Sequence, residues 1–174
     1  LELRGLMPVS IRGHDQQGPL GNQIAALRGP LPVYADDPVE RLQIVRRAMQ
    51  DVKESKQALG AEVISGLEDF APPTLLAVAS RLNFSTRLFN VIVTNVPGPQ
   101  FPLYLMGREM LQIVPVAFLP QDHALAIAAM SYNGKLDLGL LGDYDAMPDL
   151  ERVATYFEES LTELVDAAGV SSSA

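Results

Sequence analysis

The chain has 174 residues and a formal net charge of -8, with 21 acidic side chains against 13 Lys and Arg. Its summed field repels phosphate backbones and anionic headgroups, so nucleic acid is not an expected partner. Lack of cysteine removes disulfides, a thiol nucleophile and thiolate metal sites.

A composition of 48% hydrophobic and 20% charged residues suits one folded domain, placed at residues 1–169 and followed by a flexible tail at 170–174. Leu1-Glu2-Leu3, lacking Met or a basic leader, reads as the start of a piece cut from a longer chain. Apolar runs at Val114 to Leu119 and Ala124 to Met130 fall short of the roughly 20 residues that span a bilayer.

In chain order, Leu1 to Ile11 alternates near period two and predicts a strand, which Pro8 should confine to an edge or bulge. Arg12 to Asn22, rich in Gly, Asp and Gln, predicts a long surface loop, and Gln23 to Val33 a second extended segment. Asp37-Pro38-Val39-Glu40 is a helix start: Asp37 accepts a free N–H, Pro38 needs no donor, and Glu40 completes a capping-box-like pair. That helix should run to about Ala58 with Val39, Leu42, Val45, Met49 and Val52 facing inward. A short helical turn is expected around Ala61 to Leu67, then a second helix from Pro72-Pro73 through Leu82.

Phe89 to Val96 (FNVIVTNV) is the strongest strand signal, apolar on both faces, and is expected at the centre of a sheet covered on both sides. Ala124 to Tyr132 and Lys135 to Leu141 predict a hairpin, because Asn133-Gly134 tolerates the positive φ angles of a type I′ turn. Met147 to Ala168 repeats Leu150, Val153, Phe157, Leu161 and Leu164 at helical spacing and ends at Gly169. The order implies an α/β domain with a layered mixed β-sheet and packed helices.

The most distinctive segment is Asn95-Val96-Pro97-Gly98-Pro99, leaving the central strand through a turn in which Pro97 sets one position and Gly98 takes a positive φ. Turns beyond strand ends are where α/β proteins place ligand contacts, and Thr94 and Asn95 offer a hydroxyl and an amide there. A purely structural turn is the competing reading. His14 beside Asp15 and His123 beside Asp122 read as solvated surface residues, since adjacent side chains on extended chain point opposite ways. An unrelated enzyme using His123 and Asp122 is the weakest alternative. Asp137, Asp143 and Asp145 straddle a strand end before a helix and read as helix-capping acids, not metal ligands. No nucleophile elbow, Walker loop or dinucleotide fingerprint occurs; the glycines of Gly139-Leu140-Leu141-Gly142 sit in a leucine strand.

Asn90 to Met110 (NVIVTNVPGPQFPLYLMGREM) resembles the strand and NVPGP turn of the bacterial wax ester synthase/diacylglycerol acyltransferase family. Ser131 to Leu136 with Gly139 and Asp143, Pro8 to Arg12 with Leu20-Gly21-Asn22, Leu31-Pro32, and Asp37 to Leu42 resemble further segments of its C-terminal region. The resemblance covers about Leu3 to Leu164. It implies one lobe of a chloramphenicol acetyltransferase-like, coenzyme A-dependent fold whose two lobes enclose a tunnel. Acyl-CoA would be the donor co-substrate, with no tightly bound cofactor, and a fatty alcohol or diacylglycerol the acceptor.

The family's general base is the second histidine of an HHxxxDG motif in its N-terminal half, and no such motif occurs here. The resemblance therefore puts no catalytic residue and no metal site in this chain, and leaves Thr94, Asn95, Val96, Pro97, Gly98 and Pro99 as tunnel-wall candidates. The N-terminal half is the implied partner, in the same polypeptide or as a cleaved chain. Without it the docking face would be open to self-association. The setting implied is cytoplasmic, with peripheral contact at the inner membrane or lipid inclusions through Phe101, Leu103, Tyr104 and Leu105. The alternative is a catalytically silent lipid-binding or protein-interaction module of the same fold.

Overall fold

Three parallel strands flanked by two antiparallel ones form the scaffold of the computed structural model, which describes residues 3–10, 24–54 and 86–169. The strands are β1 (Leu3–Ser10), β2 (Ile24–Leu31), β3 (Val91–Pro97), β6 (Leu125–Tyr132) and β7 (Lys135–Gly142), in the order β2-β1-β3-β6-β7. A separate two-stranded piece pairs β4 (Tyr104–Leu105) with β5 (Arg108–Glu109). The described helices are α1 (Pro38–Glu54) and α2 (Leu150–Ala167). The predicted loop at Arg12 to Asn22, the helical turn around Ala61 to Leu67, the second helix from Pro72 and the tail lie outside the described residues.

β3 takes the central place its sequence predicted, parallel to β1 on one side and to β6 on the other. Its cover is uneven: Ile92 is fully buried, whereas Asn95, Val96 and Pro97 are exposed, so only its first half is enclosed. β1 corrects an expectation, because despite Pro8 it lies inside the sheet. Both N–H and C=O of Arg4 bond to Asn90, at 3.0 and 2.8 Å. By alternation the backbone of Pro8 faces the same way, beyond the Gly5 and Leu6 pairs with Val91 and Ile92 where β3 has left. The missing N–H therefore breaks no ladder.

The β6–β7 hairpin forms as expected, with φ of 47° at Asn133 and 79° at Gly134. Registered pairs put Leu6, Ile92, Ala126 and Ala128 on one sheet face, where Ala117, Leu119 and Phe89 complete the core. Both helices lie on the other face: the Met49 methyl sits over the bare backbone of Gly29, and Leu150 over Gly142. Among the described residues the result is a helix layer, a sheet, and a chain segment crossing the opposite face.

Asp37 caps α1 as predicted, its Oδ1 accepting the Glu40 N–H at 2.7 Å. Asp37→Ala should cost about 1 kcal/mol, read as an earlier urea midpoint. Val45 and Met49 are half-buried, but Val39 and Leu42 are exposed, so the predicted inner stripe is only partly covered. The predicted end near Ala58 lies past the described residues.

α2 begins at Leu150, three residues later than expected, because Asp143 caps the preceding turn and not the helix. Its Oδ1 accepts the N–H groups of Asp145 and Ala146 at 3.1 and 2.9 Å, while Asp149, at the helix start, makes no side-chain cap. Gly169, at φ 65°, ends the helix as read. No α2 residue is buried, and Leu161 is 62% exposed.

Candidate functional site

Thr94 to Pro99 lie at the rim where β3 outruns β1. From Val93 onward the β1-side edge of β3 has no ladder partner among the described residues. Alternation divides the candidates: Thr94 and Val96 face the crossing segment, and Asn95 and Pro97 face the helix side. Neither the Thr94 hydroxyl nor the Asn95 amide has a hydrogen-bond partner among the described residues. On the helix side, Asn95 and Pro97 adjoin the exposed Leu136 and Leu138 through their registers with Ala129 and Ser131.

The reason for Gly98 differs from the one read in the sequence. It is not among the positive-φ glycines; instead, a Cβ there would collide with the Ser131 carbonyl oxygen. Glycine lets the turn lie directly on β6. Gln100 fastens it, donating from Nε2 to Gly98 O at 2.9 Å and Ser131 Oγ at 3.0 Å, and accepting the Gly134 N–H on Oε1 at 3.1 Å. Asn133 N–H also donates to Pro99 O at 3.0 Å. The NVPGP turn is thereby tied to the type I′ turn of the neighbouring hairpin.

Tyr132 anchors the chain beyond this turn. Only 1% exposed, its hydroxyl accepts the Leu103 N–H and donates to Met110 O, both at 2.8 Å, clasping the base of the β4–β5 hairpin. Further along, Gln112 Nε2 donates to Asp137 Oδ1 at 2.7 Å, and Pro115 O presses against Gly139, where no Cβ fits. Sequence reasoning missed Gln100, Tyr132 and this use of Gly139, because each acts through a contact with residues 20 to 35 positions away, as in the 22-residue span from Met110 to Tyr132. Tyr132→Phe leaves the Leu103 N–H and Met110 C=O unpaired. It should cost about 2 kcal/mol and speed amide exchange at Leu103 and Met110.

His123 is not a surface residue. At 5% exposure it stacks on Phe89, ring centroids 4.5 Å apart and planes 28° inclined, with Nδ1 3.0 Å from Gln121 O. Its Nε2 is buried with no partner among the described residues. The neighbouring-residue argument holds for Asp122, which is exposed; the inward direction then falls to His123. His14 and Asp15 lie outside the described residues. Asp137 and Asp143 are engaged as above, and among the described residues no three His, Asp or Glu are placed to hold a metal ion.

A hollow of about 360 Å³ lined by Arg4, Arg28, Gly29, Pro30 and Leu88 lies at the β1–β2 side, away from Thr94 to Pro99. The rim itself supplies apolar surface, one amide and one hydroxyl on a stiff turn, which suits lining a ligand path.

The mixed five-stranded sheet, with the described helices on one face, is the fold of CoA-dependent acyltransferase-like lobes. Residues 20–165 match the WS/DGAT C-terminal domain, and the chain belongs to that family. It is 31% identical over 160 residues to an O-acyltransferase WSD of Acinetobacter baylyi, covering 91% of this chain and 34% of that protein. It is likewise 31% identical over 170 residues to a probable diacylglycerol O-acyltransferase of Mycobacterium tuberculosis, covering 97% and 37%. A wax ester synthase/diacylglycerol acyltransferase from Marinobacter aquaeolei VT8 superposes with a TM-score of 0.68 at 27% identity, over 97% of this chain and 37% of that one. A starter condensation domain of the rhizomide synthetase RzmA, at 15% identity and TM-score 0.52, shares the fold over 95% of this chain and 37% of its own. The chain spans about a third of the length of the relatives it matches.

Proposed function

We propose that the chain serves as the C-terminal lobe of an acyl-CoA-dependent O-acyltransferase that moves a long-chain acyl group to diacylglycerol or a fatty alcohol. Membership of the WS/DGAT C-terminal domain family over residues 20–165 is the observation that carries this reading. Thr94 to Pro99 line part of the substrate tunnel. Because alternate residues face opposite ways, Thr94 with Val96 and Asn95 with Pro97 meet different surfaces, and one pair lines the ligand path.

Deprotonation of the acceptor hydroxyl falls to the HHxxxDG histidine of the N-terminal half. This lobe contributes walls, positioning and, on docking, exclusion of water from the thioester. A net charge of -8 gives no attraction to anionic headgroups. Contact with a membrane or lipid inclusion from the cytoplasmic side therefore rests on apolar residues. Phe101, Tyr104 and Leu105 are exposed; Leu103 is half-buried at the Tyr132 clasp.

The test is thioester turnover with palmitoyl-CoA and either hexadecanol or diacylglycerol, by this chain alone and mixed with the N-terminal half. Turnover in the mixture alone is the expected result. Turnover by the isolated chain would move the chemistry into it and overturn the reading. No turnover from two folded, associated halves would instead identify a silent binding module.

A further inference from the structure

Two prolines weaken the grip of the sheet on the rim at the end of β3. Pro97 and Pro99 have no N–H, so neither can donate to β6, although Pro97 stands in register with Ser131. On the other side, β3 has no ladder partner from Val93 onward among the described residues. Outside the ladders, the one backbone bond to residues 97–100 among the described residues is Asn133 N–H to Pro99 O, at 3.0 Å. The side chain of Gln100 supplies three more bonds.

These three need a donor and an acceptor in one planar group. Gly98 O can only accept and the Gly134 N–H can only donate, which fixes the way the amide faces. Nε2 donates to Gly98 O and Ser131 Oγ at 2.9 and 3.0 Å, and Oε1 accepts from Gly134 at 3.1 Å. Gly98 belongs to the turn, Ser131 to β6 and Gly134 to the neighbouring hairpin turn, so a single amide sets the rim against two neighbours. Gln100 is itself exposed, and water can replace each of its bonds when the amide is lost. Removing the amide therefore frees the placement of the turn and leaves the fold nearly as stable.

We propose that Gln100 is a positioning residue for acyl transfer: its amide holds the NVPGP turn where Thr94 to Pro99 meet the substrate, without touching substrate itself. This role rests on the tunnel-wall reading above and names what keeps that wall in place. Displacing a substrate-positioning element by about 1 Å can cost about 100-fold in rate. Loss of one support from a turn still seated on Ser131 should cost about ten-fold.

The chain mixed with its N-terminal half, assayed with palmitoyl-CoA and hexadecanol, tests the idea through Gln100→Met and Gln100→Glu. The first keeps the length of the side chain and removes all three bonds. The second keeps an acceptor for Gly134 and Ser131 but, ionised, cannot donate to Gly98 O. In Gln100→Met, kcat should fall about ten-fold while KM for either substrate stays within about two-fold. Gln100→Glu should fall between it and the parent. Both variants should melt like the parent and bind the N-terminal half as tightly. In the isolated chain the Gly134 amide should exchange faster with Gln100→Met and at the parent rate with Gln100→Glu.

A raised KM with unchanged kcat would make Gln100 a substrate contact, and a melting temperature that drops in step with activity would make it a structural residue. Either result overturns the proposal, as does an active parent mixture whose kcat Gln100→Met leaves unchanged. A parent mixture without turnover overturns the functional reading itself, and the positioning role falls with it.

Discussion

Gly139→Ala should destabilise the chain by about 3 kcal/mol, lowering its melting temperature by roughly 6–12 °C, and should loosen residues 111 to 117 to proteolysis. The added methyl meets the carbonyl oxygen of Pro115, and both parties are backbone, so no rotamer change relieves the overlap. Gly139 is also paired with Ala128 in the β6–β7 ladder. The strand cannot retreat without losing that register, and the crossing segment cannot rise without uncovering Ala117. Circular dichroism melts with limited chymotrypsin digestion, which can cut after Leu111 and Phe118, report both effects. An unchanged melt with intact 111 to 117 would show that the close approach is not maintained in solution.

A larger loss is expected for Phe89→Ala, about 4 kcal/mol. The ring is fully buried and is the largest member of the cluster formed with Leu6, Ile92, Ala117, Ala126 and Ala128. These residues come from strands and the crossing segment together, so one cavity would open against several elements at once. It would also remove the ring on which His123 stacks. His123→Phe offers the contrast. It exchanges a buried Nε2 that has no partner among the described residues, and one bond to Gln121 O, for an apolar ring of similar shape, and should shift stability by less than about 1.5 kcal/mol. Urea unfolding of the three chains separates the cases. A comparable loss from both substitutions would mean that the imidazole has a polar role beyond filling the core.

Local chemistry was legible in the sequence, and long-range contact was not. Asn133-Gly134 and Asp37 were identified with their correct roles because turn geometry and capping involve neighbours within three or four residues. Phe89 to Val96 reads as a central strand from its apolar, β-branched content, and the strand forms centrally at Val91–Pro97; the NVPGP turn stands out by its stiff exit. Gly98 was singled out for a positive φ, when its actual constraint is the Ser131 carbonyl 33 positions away, as its neighbour Gln100 is bonded 31 positions along. Nothing near Tyr132 announces that its hydroxyl bridges Leu103 and Met110. His123 reads as a solvated surface residue because adjacent side chains point opposite ways, an argument that does not say which of the two, His123 or Asp122, turns inward. The apolar strand from Ala124 was the better guide, since the histidine enters the core with it.

The sheet also sets an order of folding. β6 and β7 are joined by a two-residue turn, so their pairing closes almost no loop and belongs to the microsecond range of hairpins. Pairing β3 with β6 encloses the 27 residues between Pro97 and Leu125. β1 meets β3 only after a closure reaching from Arg4 to Asn90, 86 positions apart. Loop-closure entropy rises with each step, and long-range parallel pairing is slow. The β1–β3 junction is therefore the last ladder to close and the slow phase of refolding, leaving the inner edges of both strands open to other chains until it does.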